Sequence, residues 1–442
     1  MRWDAALQSI RDRRQQGQIP TGPIVRMAMT MFFCRLGSLN ALGQTRGSSW
    51  WRRALGRAPP SPDTIGRVAG LIELDGVRAL GRQVYARLKR GKALNPPAHG
   101  WLTAVLDGHE VHATYQRHCP GCWERTIHGQ HGDRIQYYHR VVSVSLVTQD
   151  LRVLLDAEPI QAGEDEIATA LRLLDRVVQA YPRAFDLIQG DGLYTDPRFF
   201  QWAVAHGKYA LSVLKDERRD LLQEAQQLFE SMPPVIVPEG NVRRECWDLE
   251  GFRTWPQAGV PVRVVRCRET RSVRRQLDQQ IHEEASEWYW ATTLPTRQAP
   301  TGTVVHLGHS RWDIENQGFN ELVNRWHADH VYRHDPNALL VFWLLAQICL
   351  TVFYAFFRRN LQRAARAAMS MFHVSRLVQA ELYQSLTRAP PECLAASCCH
   401  PSALLHSRPG ADAPNPCAEE APGAQTKRLS RVKRRKSSGR NP

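Results

Sequence analysis

Leu102-Thr103-Ala104-Val105-Leu106-Asp107-Gly108 is an uncharged, mostly apolar run that closes on an acid and a glycine, just where a helical pattern gives way to strands. With Trp101 before it, the run reads as a strand from Trp101 to Asp107 that ends on the acid. Two more strands follow, Tyr138 to Thr148 and Leu151 to Glu158, joined by a short turn, so the three are expected to pair as an antiparallel meander. A helix comes next, from about Gly163 to Ala180, with Ile167, Ala170, Leu174 and Val177 on one face. Glu164, Asp165 and Glu166 fall in its first turn, where acids complement the helix dipole. Strand Phe185 to Ile188 leads to Gly190-Asp191-Gly192, and a helix (Pro197 to His206) and a strand (Tyr209 to Leu214) complete the pattern. This order predicts an α/β fold with a mixed sheet flanked by helices.

Outward from that core the chain changes character. Residues 1–98 read as a helical N-terminal region, with Ser61-Pro62-Asp63 as a helix start. Arg78, Arg82, Arg87, Lys89, Arg90 and Lys92 crowd the end of one of its helices, which suits a DNA-facing surface and equally an ordinary solvated face. A domain over residues 99–387 is expected, interrupted at about 216–287 by a charged helix and strand-like runs such as Val262 to Cys267. After that insertion, strand Trp288 to Leu294 and a helix from about His309 to His327 resume the domain. Ala338 to Phe357 is uncharged and long enough to cross a bilayer, but it holds Gln347 and Thr351 and sits in a charged sequence, so a buried core helix is expected and no membrane partner. The tail, 388–442, is rich in Pro, Ala, Ser and Cys, ends in basic runs such as Lys433 to Lys436, and should be disordered.

The 58 Lys and Arg against 43 Asp and Glu give a formal charge of +15, which favours a polyanionic partner. Ten cysteines without an evenly spaced framework, and a start lacking an apolar secretory core, suit a reducing cytoplasm. A P-loop, a dinucleotide fingerprint and a Ser-His-Asp signature are not evident, which leaves nucleotide-driven and acyl-transfer enzymes without support.

Three acids then carry the chemistry. Asp107 closes the first strand, Asp191 follows the fourth between two glycines, and Glu315 lies in Arg311-Trp312-Asp313-Ile314-Glu315-Asn316. Trp312, Glu315, Phe319, Leu322 and Trp326 share one helical face, and a carboxylate within an aromatic stripe is costly unless a cation or an arginine such as Arg311 pairs with it. Breaking a phosphodiester by in-line displacement requires charge stabilisation on both the attacking and the leaving oxygen. Two hard cations about 3.5 to 4 Å apart supply it, and carboxylates are their preferred ligands. Taken one at a time, the same acids read as two turn aspartates and a salt-bridge partner.

The succession Leu106-Asp107-Gly108, Gly190-Asp191-Gly192-Leu193-Tyr194 and Arg311 to Asn316 resembles the DDE transposases of bacterial insertion sequences, specifically the IS-four type with its strand-rich insertion before the glutamate. The resemblance spans about Pro97 to Asn360. It implies an RNase H-like core in which Asp107, Asp191 and Glu315 are catalytic and hold magnesium (Mg2+) or manganese (Mn2+). It further implies cutting of double-stranded DNA at element ends, joining to target DNA, a homodimer in the synaptic complex, and a cytoplasmic, nucleoid-associated location. The family motif carries a tyrosine three positions before the arginine and a lysine seven after the glutamate, where this chain has Gly308 and Leu322. His309, Arg311 and Arg325 are the candidate phosphate contacts, and Trp247 or Trp255 of the insertion is a candidate to stack on a flipped base or to pack in a strand cluster. A catalytically inactive DNA-binding descendant is the alternative that Gly308 and Leu322 motivate.

His118-Cys119-Pro120-Gly121-Cys122, with His112, His128 and His131 nearby, is compatible with a zinc site and with a plain connector bearing ordinary thiols.

Overall fold

The N-terminal region forms helices α1 (Trp3–Gln8), α2 (Thr21–Phe33), α3 (Leu39–Gln44), α4 (Ser49–Leu55), α5 (Pro62–Ala69) and α6 (Leu74–Arg90). Helix α5 starts as its sequence dictates: the Ser61 hydroxyl accepts from the Thr64 amide at 3.2 Å, and Pro62 occupies a first-turn position that needs no amide donor. The core then runs β1 (Thr103–Thr114), β2 (Trp123–Ile127), β3 (Arg134–Val147), β4 (Arg152–Pro159), α7 (Glu166–Ala180), β5 (Leu187–Gly190), α8 (Pro197–Ala205) and β6 (Tyr209–Val213). The insertion supplies α9 (Asp220–Glu230), β7 (Val235–Glu239), β8 (Val242–Phe252), β9 (Val262–Arg274) and β10 (Ile281–Thr292). The chain closes with α10 (Thr301–Ile314), α11 (Asn320–Trp326), α12 (Pro336–Arg359), α13 (Arg363–Ala368) and α14 (Met371–Thr387). The structure, a computed structural model, describes residues 3–387 apart from 131, 216–219, 240–241, 275–280 and 315–319. The basic tail from residue 388, expected to be disordered, lies outside the described residues.

Among the described residues the strands join in one sheet, ordered β2-β3-β1-β5-β6-β10-β9-β8-β7, with β4 also on β3. Strand β3 is antiparallel to both of its neighbours β1 and β4, and β5 and β6 run parallel to β1. That five-strand succession is the RNase H-like arrangement, and β10 pairs with β6 to carry the sheet on into the insertion. Two expectations shift. Strand β1 does not stop at Asp107 but continues to Thr114, and an extra strand, β2, intervenes before β3. The insertion strands are long, 11 to 13 residues in β8, β9 and β10, rather than short runs.

Alternation along β1 assigns its two faces. Val105 packs in a cluster with α12, while Ala104 and Leu106 pack in another with α7 and α8. Helix α12 is the apolar run that could span a bilayer by length, and 78% of its most hydropathic window is buried inside the protein. It lies against α2, α5, α6 and β4, so its apolar surface is spent on the core. Its buried Gln347, together with Trp343, donates to the Ser143 hydroxyl of β3, at 3.0 Å and 3.1 Å. Helices α6 and α7 are bolted to β4 by ions: Arg78 and Arg176 share Asp156 at 3.1 Å and 2.7 Å, and both also reach Glu158. Arg78, read from sequence as part of a basic surface, is thereby consumed in the core contact.

Ser143→Ala removes the hydroxyl to which both Trp343 and Gln347 donate. We expect a loss of about 1–3 kcal/mol of stability, read as a lowered midpoint in urea unfolding.

Candidate active site

Asp107 and Asp191 come together through strand register. Val105 on β1 lies beside Gln189 on β5, two residues before each aspartate, so the pair leaves neighbouring parallel strands at the same level. Neighbouring strands are about 4.8 Å apart. Both acids also project to one face. Asp107 sits opposite Ser143, which faces α12. On β5, Leu187 packs with Val304, Val305 and Leu307 of α10, and the Gln189 amide donates to the Leu307 carbonyl at 2.8 Å. Asp191 is still extended (φ −77°, ψ −163°), so it continues the Leu187, Gln189 side. Its carboxylate caps the following turn by accepting from the Leu193 amide at 2.9 Å.

The opposite face holds a pair that sequence reading passed over. Glu166, the first residue of α7, is buried; its carboxylate accepts from the Tyr194 hydroxyl at 3.1 Å and from Arg140 at 2.8 Å. The glycines beside the two aspartates make room for this pair. A Cβ on Gly108 would meet the Glu166 carboxylate at 2.2 Å, and one on Gly190 would meet the Tyr194 ring at 2.2 Å. Burial pushes Glu166 above the usual carboxylate range, with the Asp191 charge adding to the rise. The Tyr194 phenol is raised well above its ordinary value, first by burial and then by Glu166, Asp107 and Asp191, so all three acids are near it. The available signals were the glycines themselves and the tyrosine in Gly190-Asp191-Gly192-Leu193-Tyr194.

The remaining candidates occupy distinct settings. Helix α10 begins at Thr301, eight residues before the expected start, and Arg311 on it is buried. Glu315 lies outside the described residues. His309 is held between sheet and helix, its Nε2 3.1 Å from Glu269 and its ring edge-on to Trp288 and Trp290; burial lowers its pKa. Arg325 is exposed on α11, 3.6 Å from Glu321. Glu321 in turn meets Arg35, whose guanidinium lies over Trp326 at 4.9 Å, tying α11 to the end of α2. Trp247 is buried, donates to the Met232 carbonyl at 2.9 Å and has Arg266 over its ring at 4.4 Å, so in this conformation that ring is engaged in packing. Trp255 packs edge-on against Phe200.

Positions 308 and 322 have packing roles. A Cβ on Gly308 would fall 2.3 Å from the buried Trp290 ring, so α10 approaches β10 too closely for a tyrosine there. Leu322 is fully buried in the core with α12, where an ammonium group would be costly.

The chain matches a family model described as a transposase DDE domain over residues 102–352, more than half of its length, and it belongs to that transposase family. Among solved structures, the piggyBac transposase synaptic complex with hairpin DNA is similar at 9% identity and a TM-score of 0.43, over 89% of this chain and 80% of that one. No curated protein matches at a significant level.

Tyr194→Phe deprives a buried carboxylate of a donor while preserving the ring. A loss of about 1.5–3 kcal/mol is expected, measured by chemical denaturation; an unchanged midpoint would show the Glu166 contact to be energetically idle.

Proposed function

We propose that the protein is a metal-dependent DNA transposase of the insertion-sequence, IS-four type, which cleaves element ends and joins them to target DNA. The observation that carries this reading is the emergence of Asp107 and Asp191 from adjacent strands, at one level and on the face covered by α10 and α12. Glu315, the third proposed ligand, follows α10 in the sequence. Carboxylate oxygens fit magnesium or manganese, and the donor set described so far is of that kind. Such ions, when bound, offset negative charge on the attacking and leaving oxygens. Asp107, Asp191 and Glu315 would hold them, Arg311 would position phosphate or the glutamate, and Glu166 with Tyr194 fixes the aspartate-bearing strand ends from behind.

Double-stranded DNA is the proposed partner, with a homodimer at synapsis and the cytoplasmic nucleoid as the place of work. A basic surface supports this. Arg87, Lys89, Arg90 and Lys92 are exposed at the end of α6, and Arg359 at the end of α12 donates to the Gly91 carbonyl at 2.8 Å, bringing Arg358 and Arg359 beside them. A second reading, a DNA-binding descendant without catalysis, is favoured by the packing roles of Gly308 and Leu322, since neither position offers phosphate a donor.

Labelled DNA carrying the inverted repeats that flank the coding region separates the two. Magnesium-dependent cutting by the wild type, reduced at least about a hundredfold in Asp107→Asn and Asp191→Asn, supports the enzyme. Retention of DNA without cutting by the wild type supports the descendant, and equal cutting by all three proteins rejects the assigned acids. Independently, changing Arg87, Lys89, Arg90 and Lys92 to Ala should flatten the dependence of log affinity on log salt by about 0.9 for each side chain that sits on a phosphate. An unaltered slope excludes this surface from DNA contact.

A further inference from the structure

Apart from the aspartates and their supporting pair, four side chains turn toward one point. Cys119 and Cys122 lie in the connection between β1 and β2, His139 is on β3, and His334 immediately precedes Asp335, the residue that caps α12. One ligand atom from each, Sγ of the cysteines and a ring nitrogen of the histidines, lies within 4.8 Å of all the others. The Cys119 and Cys122 sulfurs are 3.8 Å apart. His139 Nε2 is 3.4 Å from the first sulfur and 3.3 Å from the second, and His334 Nε2 is 3.2 Å from Cys122.

Those separations can be compared with a tetrahedron. Zinc bonds of about 2.3 Å to sulfur and 2.0–2.1 Å to nitrogen place two sulfurs roughly 3.8 Å apart and a sulfur and a nitrogen roughly 3.5 Å apart. A disulfide would need sulfurs at about 2.05 Å, and both cysteines are free. In the loop the Cys122 amide donates to the Cys119 carbonyl at 3.0 Å, closing a tight turn that sets the two sulfurs side by side, and the Cys119 amide points at the Cys122 sulfur at 3.3 Å. Gly121 between them packs close to the start of α12, where a Cβ would lie 3.1 Å from Pro336.

We infer that Cys119, Cys122, His139 and His334 bind a structural Zn2+. Two soft sulfurs and two imidazoles select zinc over the hard cations that the aspartates suit, and four protein ligands leave no open position for chemistry. The histidines expected from sequence are placed elsewhere. His112 faces the Asp329 carbonyl at 2.7 Å, His128 pairs with Asp133 on the surface, and His131 lies outside the described residues. The ion joins segments 212 residues apart, Cys122 and His334, and pins the start of α12 to the core sheet. Closing so long a loop with a metal ties zinc affinity to folding stability.

The test begins with the full-length wild type, purified under reducing conditions without chelator. Elemental analysis should find about one zinc per chain, and Co2+ exchanged into the protein should show tetrahedral ligand-field absorption with thiolate charge-transfer bands. Cys122→Ser should lose most of the bound zinc. Asp191→Asn and Cys246→Ser should keep it, the latter because Cys246 sits 3.6 Å from Cys267 in the insertion, away from the cluster. Removing zinc from the wild type should lower its melting temperature, and returning zinc should restore it. Wild type without stoichiometric zinc, zinc retained in full by Cys122→Ser, or a Cys119–Cys122 disulfide by mass would each overturn the assignment. Should Cys122→Ser fail to fold, the cobalt spectrum of the wild type decides: bands without a thiolate contribution reject the site.

Discussion

The parallel pairing of β1 with β5 is the constraint on which the molecule depends. It is short, with Thr103, Ala104 and Val105 set beside Leu187, Ile188 and Gln189, yet it decides which side chains share a face. A slip of one residue in either strand would turn one aspartate away from the other and send Leu187 out of the α10 cluster. Both faces resist such a slip. On one, Gln189 is hydrogen-bonded to α10 and Val105 packs toward α12; on the other, the Glu166 and Tyr194 side chains occupy the space that Gly108 and Gly190 leave open.

This double locking gives the glycines a specific meaning. A glycine beside a proposed catalytic acid invites the idea that substrate backbone must come close. Here the close approach comes from behind, by a buried carboxylate and a buried phenol whose mutual hydrogen bond is satisfied before any DNA arrives. The acids are thus presented by strand ends whose rear surface is already filled. Departures from the family pattern have the same origin: position 308 is pressed against Trp290 and position 322 faces the core, so local packing uses both.

Much of the core was legible because its signals are local. Apolar runs marked β1, β4 and β6, the helical spacing of α7 was clear, and Gln347, Thr351 and the charged flanking sequence marked the uncharged α12 as a buried helix rather than a membrane span. What escaped depended on contacts between distant residues. Strand β1 continues past Asp107 through Gly108-His109-Glu110, a stretch with no strand-like alternation of its own, because β3 pairs with it as far as Thr114. Glu166 read as a helix-dipole acid until Tyr194 and Arg140 supplied its partners. Arg78 read as surface charge until Asp156 and Glu158 claimed it. The cysteine pair was visible, but no spacing rule reaches from Cys122 to His334. Helix α10 was expected to start too late because Thr301, Gly302 and Thr303 are weak helix formers that tertiary packing overrides.

The burial of α12 has a consequence for the order in which this protein can be made. Helices α2, α5 and α6 leave the ribosome early, and part of their apolar surface is covered only when residues 336–359 arrive. During that interval the nascent chain carries an uncovered greasy surface, the condition under which chaperones are engaged and misassembly competes with folding. A gene copy truncated before α12 would therefore leave the parts of α2, α5 and α6 that α12 covers open to solvent.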